Sequence, residues 1–404
     1  MVKKARRILV LLGPAFIAAV AYVDPGNFAA NFSAGAEYGY ALLWVLVVAN
    51  LMASLVQYLS AKVGLVTGMS LPEVIAKKLG RKSRIAYWLQ AEAVAISTDL
   101  AEVIGGAIAL NILFGLPLLT GAVITGLVSL LLLVIYTRRG QKIFERIIVG
   151  LLLIIPLGFF AGLFMQPPDA AGMAAGLAPQ LRNADMVLLA AAMLGATVMP
   201  HVVYLHSALA RDRHGHVRNK GELLRLLKAT KIDVGAAMVL AGSVNISMLL
   251  LAASALRGEP NTDSLEGIFA ALGSNVSPIV AGLFGLSLLV SGFASTTVGA
   301  HAGAVIMDGM LKRSIPLLVR RVITIIPAVI IVGFGIDPTQ ALIISQVILS
   351  FGIPFALIPL LLVTSSERIM GEQKNGKLII SVLSVITGII VLLNLALIWL
   401  TIRG

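Results

Sequence analysis

The chain has 404 residues, 58% of them hydrophobic and only 12% charged, with a mean hydropathy of +0.98. Soluble domains carry about a quarter charged residues, so this composition excludes an ordinary soluble domain and predicts a polytopic helical membrane protein. There is no cysteine, hence no disulfide framework and no thiolate metal site; the net charge of +12 clusters in alternate loops, which argues for membrane topology and against nucleic-acid binding.

Eleven apolar runs are long enough to span a bilayer, at about 8–33, 40–63, 85–114, 117–136, 147–166, 185–210, 231–256, 278–310, 317–335, 339–364 and 378–401. The first does not read as a cleaved signal peptide: the run is too long, it is broken inside, and no convincing cleavage site follows. Its break is Val23-Asp24-Pro25-Gly26-Asn27. Pro25 and Gly26 oppose a continuous helix, and a carboxylate at that depth is costly enough to mark a functional site. The other reading of Asp24 is a helix cap at a kink.

The third run carries Glu92, Asp99 and Glu102, which fall broadly along one stripe of a helix. The sixth run is broken at Ala196-Thr197-Val198-Met199-Pro200-His201. Two interrupted spans are the sequence pointer to a transporter's central site. Asp24 and Asn27 offer hard oxygen ligands, the carbonyls of Ala21 and Ala196 are candidates for release by the breaks, and the Met199 thioether suits transition metals better than Mg²⁺ or Ca²⁺. Read alone, Met199 is more readily a gap filler in an apolar span; its neighbour Pro200 and the pairing with Asp24 lift it. Gln346, in the tenth run, is placed to add an oxygen or to hydrogen-bond the site. Arg320 and Arg321 open the ninth run and can pair with the carboxylates of the third. That arrangement reads either as a proton relay or as a buried ion-pair network holding two spans together. His201 suits proton transfer near neutral pH, or is held structurally at the kink. His206, Asn245 and His301 have weaker claims.

Of the 31 Lys and Arg, 28 fall on one side of the alternating topology, and only Arg182, Arg257 and Arg403 on the other. The N-terminus, with Lys3, Lys4, Arg6 and Arg7, is therefore expected in the cytoplasm and the C-terminus outside. The loop Arg211–Lys231 is expected to be a basic, partly helical cytoplasmic connector. Breaks in spans one and six suggest two five-span units of opposite orientation, about 8–166 and 185–364, with an extra helix at about 378–401, all in one domain over 1–404. No strong residue-by-residue self-similarity accompanies this repeat.

These residues resemble the Nramp family of proton-coupled divalent metal transporters (natural resistance-associated macrophage proteins). Its DPGN motif is present as Asp24-Pro25-Gly26-Asn27 and its MPH motif as Met199-Pro200-His201. The segments LLWVLVVANLMASLVQYLSAKVGLVTG, STDLAEVIGGAIALNILFG and ISQVILSFGIPFALIPLL are similar to it as well, so the likeness covers nearly the whole chain. The resemblance implies a prokaryotic member with a leucine-transporter-like fold, a 5+5 inverted repeat and alternating access. It implies metal ligands at Asp24, Asn27, the Ala196 carbonyl and Met199, with the Ala21 carbonyl and Gln346 joining in some conformations. It implies a proton route through Asp24, His201, Glu92, Asp99, Glu102, Arg320 and Arg321. The sequence departs from the family pattern at Val202-Val203 and at His301, which bears on the proton route more than on the metal site.

The expectation is thus a multi-pass, monomeric transporter of the cell membrane, not an enzyme. It would import Mn²⁺ first and Fe²⁺ second with protons, and hold no resident cofactor. Three alternatives stand beside it. A magnesium-transporting relative is disfavoured by the Met199 thioether. An amino-acid transporter on the same fold would place the substrate carboxylate against Asp24. A passive metal channel would need no broken helices.

Overall fold

A computed structural model describes residues 13–403 except 216, 218 and 314. The basic N-terminal cluster, the first residues of span one and Arg218 lie outside the described residues. Within them the protein is all helix and turn, with no strand.

The first span is two short helices, α1 (Pro14–Ala21) and α2 (Pro25–Tyr38). Proline fixes its own φ and has no N–H to lose, so it opens helices readily; Pro14 and Pro25 do so here. Spans two to five are α3 (Leu43–Thr67), α5 (Arg81–Phe114), α6 (Leu118–Arg139) and α7 (Gln141–Met165). The sixth span is again split, into α9 (Ala184–Thr197) and α10 (Pro200–His214). Spans seven to eleven are α11 (Lys220–Ala255), α13 (Pro278–Leu311), α14 (Leu317–Gly333), α15 (Pro338–Ser365) and α17 (Lys377–Arg403).

Nine stretches among the described residues are long and apolar enough to cross a membrane, counting α9–α10 as one. The split first span and the 17-residue α14 bring the crossings to eleven. Hydropathy located these spans but missed what joins them. The short helices α4 (Leu71–Lys78), α8 (Ala170–Gly176), α12 (Leu265–Asn275) and α16 (Glu367–Met370) lie between spans. Helix α11 also starts eleven residues before the apolar run. Asn219 caps it by accepting from the N–H groups of Gly221 (2.9 Å) and Glu222 (3.1 Å), and α10 runs on to His214, so most of the expected basic connector is helix.

Of the nine stretches the broken sixth span is the most enclosed, with 94% of its apolar window inside the protein, against 28% for α17 at the periphery. Lipid offers no hydrophobic drive between helices, so close packing must hold the bundle. Glycines serve that at the α5–α13 crossing, where a Cβ on Gly292 would stand 3.0 Å from the Gly106 nitrogen. Phe28 and Phe32 of α2 meet Phe159 of α7 and Phe284 of α13, with ring centroids 5.0–6.0 Å apart in edge-on and tilted pairs. Such pairs contribute about 0.5–1.5 kcal/mol each beyond area burial. They fix α2 against the scaffold just beyond the first break.

Candidate functional site

Both breaks end a helix for the same reason. An α-helical carbonyl accepts from the N–H four residues on. For Ala21 that residue is Pro25, and for Ala196 it is Pro200; neither has an N–H. The chain between the half-helices is then pinned by side chains from other spans. The Tyr22 carbonyl accepts from Asn245 Nδ2 (2.7 Å), and the Val23 carbonyl accepts from Ser291 Oγ. With Pro25 standing where its donor would be, the Ala21 carbonyl is left without its helical hydrogen bond at the negative end of α1. The negative end of α9 likewise lies at the break, where the Ala196 carbonyl has lost its helical donor and accepts from a side chain of the other break. Two helix C-termini facing one point favour a cation there.

Asp24 is the N-cap of α2. Its Oδ1 accepts from the Asn27 backbone N–H (2.8 Å) and from Asn27 Nδ2 (2.7 Å). The capping reading therefore holds, but it occupies one oxygen only. Oδ2 has a single long contact, from Gln346 Nε2 at 3.4 Å. Asn27 Nδ2 also donates to the Ala196 carbonyl at 3.1 Å, which brings the two breaks within one hydrogen bond of each other. Asn27 Oδ1 and Gln346 Oε1 are buried acceptors without a donor. Met199 is the N-cap residue of α10 and offers no side-chain cap. Asp24, Asn27, Ala196, Met199 and Gln346 are wholly inaccessible, and Ala21 nearly so, which makes the site occluded from both faces. Gln346 lies directly over Gly26, where a Cβ would overlap its amide.

A buried acceptor without a donor is costly. Here several converge, beside a carboxylate oxygen and a thioether. Among the described residues there is no group of three or more His, Cys, Asp or Glu able to hold a metal. The donor set at the breaks is of another kind: one carboxylate, amide and backbone oxygens, and one sulfur.

The carboxylates of α5 meet the arginines of α14, but unevenly. Glu92 pairs with Arg320 (2.8 and 3.0 Å), and Asp99 with Arg321 (2.8 Å). Arg321 also donates from Nε to Ser129 Oγ (2.7 Å) and from a terminal nitrogen to Thr296. Glu102 has no ion-pair partner among the described residues; neither oxygen makes a close hydrogen bond, although the Thr296 hydroxyl stands beside it. It lies within electrostatic reach of Asp99, Arg321 and Asp24. Both carboxylates lie against Gly299, where a Cβ would stand 3.0 Å from Glu102 Oε2 and 3.3 Å from Asp99 Oδ1. His201 joins this line: its Nδ1 is 3.3 Å from Thr98 Oγ1, one residue before Asp99, and its Nε2 has no partner.

The sequence does not announce a second polar chain, which runs from the first break through α3 to α10. Gln57 of α3 donates to the Tyr22 hydroxyl and its Oε1 lies 2.7 Å from His206 Nδ1. The signal available was a glutamine in the middle of an apolar run. Asn31 donates to Asn245 Oδ1 (3.1 Å), so Asn245 holds both the first break and α2. At the end of the bundle where α2 finishes and α9 begins, a cavity of ≈ 570 Å³ is lined by Glu37, Asp185, Glu259 and Asp263 together with Ser33, Gln340 and Ile343. Gln346 stands about one helical turn deeper than Ile343.

Comparison with known proteins agrees with this geometry. The Nramp family model, natural resistance-associated macrophage protein-like, matches residues 15–400. The chain is 57% identical over 394 residues to the divalent metal cation transporter MntH of Mycobacterium tuberculosis (strain CDC 1551 / Oshkosh), covering 98% of this chain and 92% of that one. The crystal structure of the Eremococcus coleocola manganese transporter, solved with an aromatic bis-isothiourea substituted compound, superimposes with a TM-score of 0.87 at 31% identity, over 97% of this chain and 86% of that one. The structure of MhsT with L-phenylalanine matches at a TM-score of 0.62 and 14% identity, over 95% and 98% of the two chains, a likeness of fold alone. The architecture is the leucine-transporter-like fold, with broken first and sixth spans and an eleventh helix added.

Proposed function

The chain belongs to the Nramp family, and from that premise we propose that it is a secondary transporter importing divalent transition metal ions, Mn²⁺ before Fe²⁺, coupled to proton influx by alternating access. It is a multi-pass membrane transporter, not an enzyme. The metal is cargo, and no resident cofactor is needed. We place one transport domain over residues 1–404, with inverted repeats at about 8–166 and 185–364, acting as a monomer with a cytoplasmic N-terminus and an external C-terminus.

The observation that carries this reading is the hydrogen bond from Asn27 to the Ala196 carbonyl. It joins two proline-broken helices at a buried point where Asn27 Oδ1 and Gln346 Oε1 have no donor, Asp24 Oδ2 has a long contact from Gln346, and the Ala21 carbonyl has lost its helical donor to Pro25. An incoming cation supplies the missing positive charge to all of them at once. The Met199 thioether is a poor replacement for water on Mg²⁺ or Ca²⁺ and an acceptable ligand for Mn²⁺ or Fe²⁺. The acidic outer cavity raises the local concentration of cations above the site.

Protons take a separate way out. The break at Asp24 leads to His201, then to Glu102 and Asp99, and on to Glu92 along α5. Arg321 and Arg320 balance the charge on that line. A carboxylate without a salt-bridge partner, beside a paired one, is suited to exchange a proton with its neighbour. The inner chain Tyr22–Gln57–His206 closes the cytoplasmic side in this conformation.

The test is uptake into proteoliposomes with Mn²⁺, Mg²⁺ and Ca²⁺ in competition and internal pH recorded. Saturable Mn²⁺ uptake accompanied by acidification, and driven uphill by an inward proton gradient, is expected. Mn²⁺ flux that never exceeds equilibrium would indicate a passive channel and defeat the reading.

A further inference from the structure

A cavity of ≈ 390 Å³ opens at the inner end of α5, where that helix meets the end of α13. Its walls are Arg81, Arg84, Ile85, Trp88, Leu311 and Arg313. Three arginines and no carboxylate line it. Among the described residues none of the three is in an ion pair. Asp308, one turn back on α13, is exposed and pairs with none of them, while exposed Lys82 and Lys312 add further positive charge.

Two further features point to an anion. Helix α5 begins at Arg81 with no side-chain cap and no acidic residue in its first turn. Instead Arg81, Lys82 and Arg84 stand at the positive end of a 34-residue helix, the sign opposite to the one a helix dipole favours. Within the lining, Arg84 Nε and Trp88 Nε1 are buried donors that have no acceptor. The cavity thus combines unneutralised guanidinium groups, unpaired donors and a positive helix end.

Its flank is apolar. Ile85 lines the cavity and is 40% exposed, and Leu89, one turn further along α5, is 55% exposed. Helix α14, packed beside α5, shows Val319, Val322 and Ile323 on its outside. Such residues face hydrocarbon in a membrane protein. A soluble phosphate would use the guanidinium groups and leave this surface unused.

We propose that this cavity binds the phosphate headgroup of an anionic phospholipid, its acyl chains lying along the Ile85–Leu89 face. Arginine presents a planar fork that meets two phosphate oxygens at once. Tryptophan settles at the membrane interface with its N–H toward the headgroups. Basic pockets between helices at the cytoplasmic surface are suited to anionic headgroups. The cytoplasmic placement follows from the topology proposed above; the cavity and its lining do not depend on it.

The test uses Trp88 as its own reporter. Trp44→Phe with Trp399→Phe leaves it as the only indole in the chain. This protein is reconstituted in phosphatidylcholine vesicles carrying a minor fraction of brominated phosphatidylglycerol or, in parallel, brominated phosphatidylcholine. Stronger quenching by the brominated phosphatidylglycerol is expected. Arg84→Gln or Arg313→Gln should reduce that preference about fivefold each, while Arg138→Gln with Arg139→Gln, on the same side of the membrane, should not. Excess glycerol phosphate should leave the preference intact. Equal quenching by the two lipids overturns the proposal. So does a preference that the Arg84 and Arg313 variants retain, and so does one that glycerol phosphate abolishes, which would identify a soluble phosphate as the occupant. If an arginine variant fails to fold, the parent comparison with and without glycerol phosphate still decides the matter.

Discussion

Removing either side of the Asp99–Arg321 pair should have unequal consequences, because Glu102 stands beside it. Both partners are buried, Arg321 fully and Asp99 to within 1%. Arg321→Gln leaves Asp99 and Glu102 without a cation. Their oxygens lie 3.3 and 3.0 Å from the same point, the Cβ position of Gly299, and are therefore at most about 6 Å apart. Were both ionised, two negative charges at that separation would repel by about 3 kcal/mol at an effective dielectric constant of about 20, so without the arginine the pair must hold a proton between them. Breaking a buried pair costs about 3–5 kcal/mol in general, so Arg321→Gln should lose about 3–5 kcal/mol. Asp99→Asn, in contrast, leaves Arg321 with Glu102 as substitute partner and should lose less than half of that. The double variant should recover most of the Arg321→Gln loss, since one carboxylate then remains where two repelled. The assay is reversible unfolding in mixed micelles with increasing SDS, followed by circular dichroism. Equal losses in the two single variants, or a double variant that loses their sum, would refute the reasoning. The same variants separate structure from coupling: Asp99→Asn should still bind Mn²⁺ while its uptake loses dependence on external pH.

Met199→Ala should still move Mn²⁺, lose Cd²⁺ affinity by about tenfold, equivalent to 1.4 kcal/mol, and admit competition by Ca²⁺; unchanged Cd²⁺ affinity and unchanged Ca²⁺ competition would make Met199 a space filler. Gly26→Ala forces a methyl into the Gln346 amide and should weaken Mn²⁺ binding by about 1–3 kcal/mol. Adding Gln346→Ala should restore room there. Mn²⁺ affinity by calorimetry decides it, and an unaltered value for Gly26→Ala would mean that Gln346 does not hold its place over the break.

Much of this architecture was legible because a bilayer penalises what the sequence shows openly. Proline, glycine and carboxylate in the middle of apolar runs could be located by inspection, and they fixed both breaks. That Arg320 and Arg321 can meet the carboxylates of α5 followed from needing partners for buried charge; which arginine takes which carboxylate did not. What stayed hidden depends on geometry across long separations. Nothing local shows that Asn245 reaches the Tyr22 carbonyl, 223 residues away, or that Ser291 takes the next one. Those two contacts decide which carbonyls at the break remain available. Nor does the stripe of carboxylates on α5 reveal that Glu102, alone of the three, has no arginine. The short helices between spans escaped because they are too short for a hydropathy signal; their caps, such as the Ser70–Glu73 box of α4, were the available clue.

The central claim is that a divalent metal sits between the two broken helices, held by the free oxygen of Asp24. Equilibrium titration of purified Asp24→Ala with Mn²⁺ tests it most directly. Loss of a buried carboxylate should leave folding intact or improve it, which a melting curve on the same sample verifies. Saturable Mn²⁺ binding should disappear; a folded Asp24→Ala protein with near wild-type affinity would contradict the account.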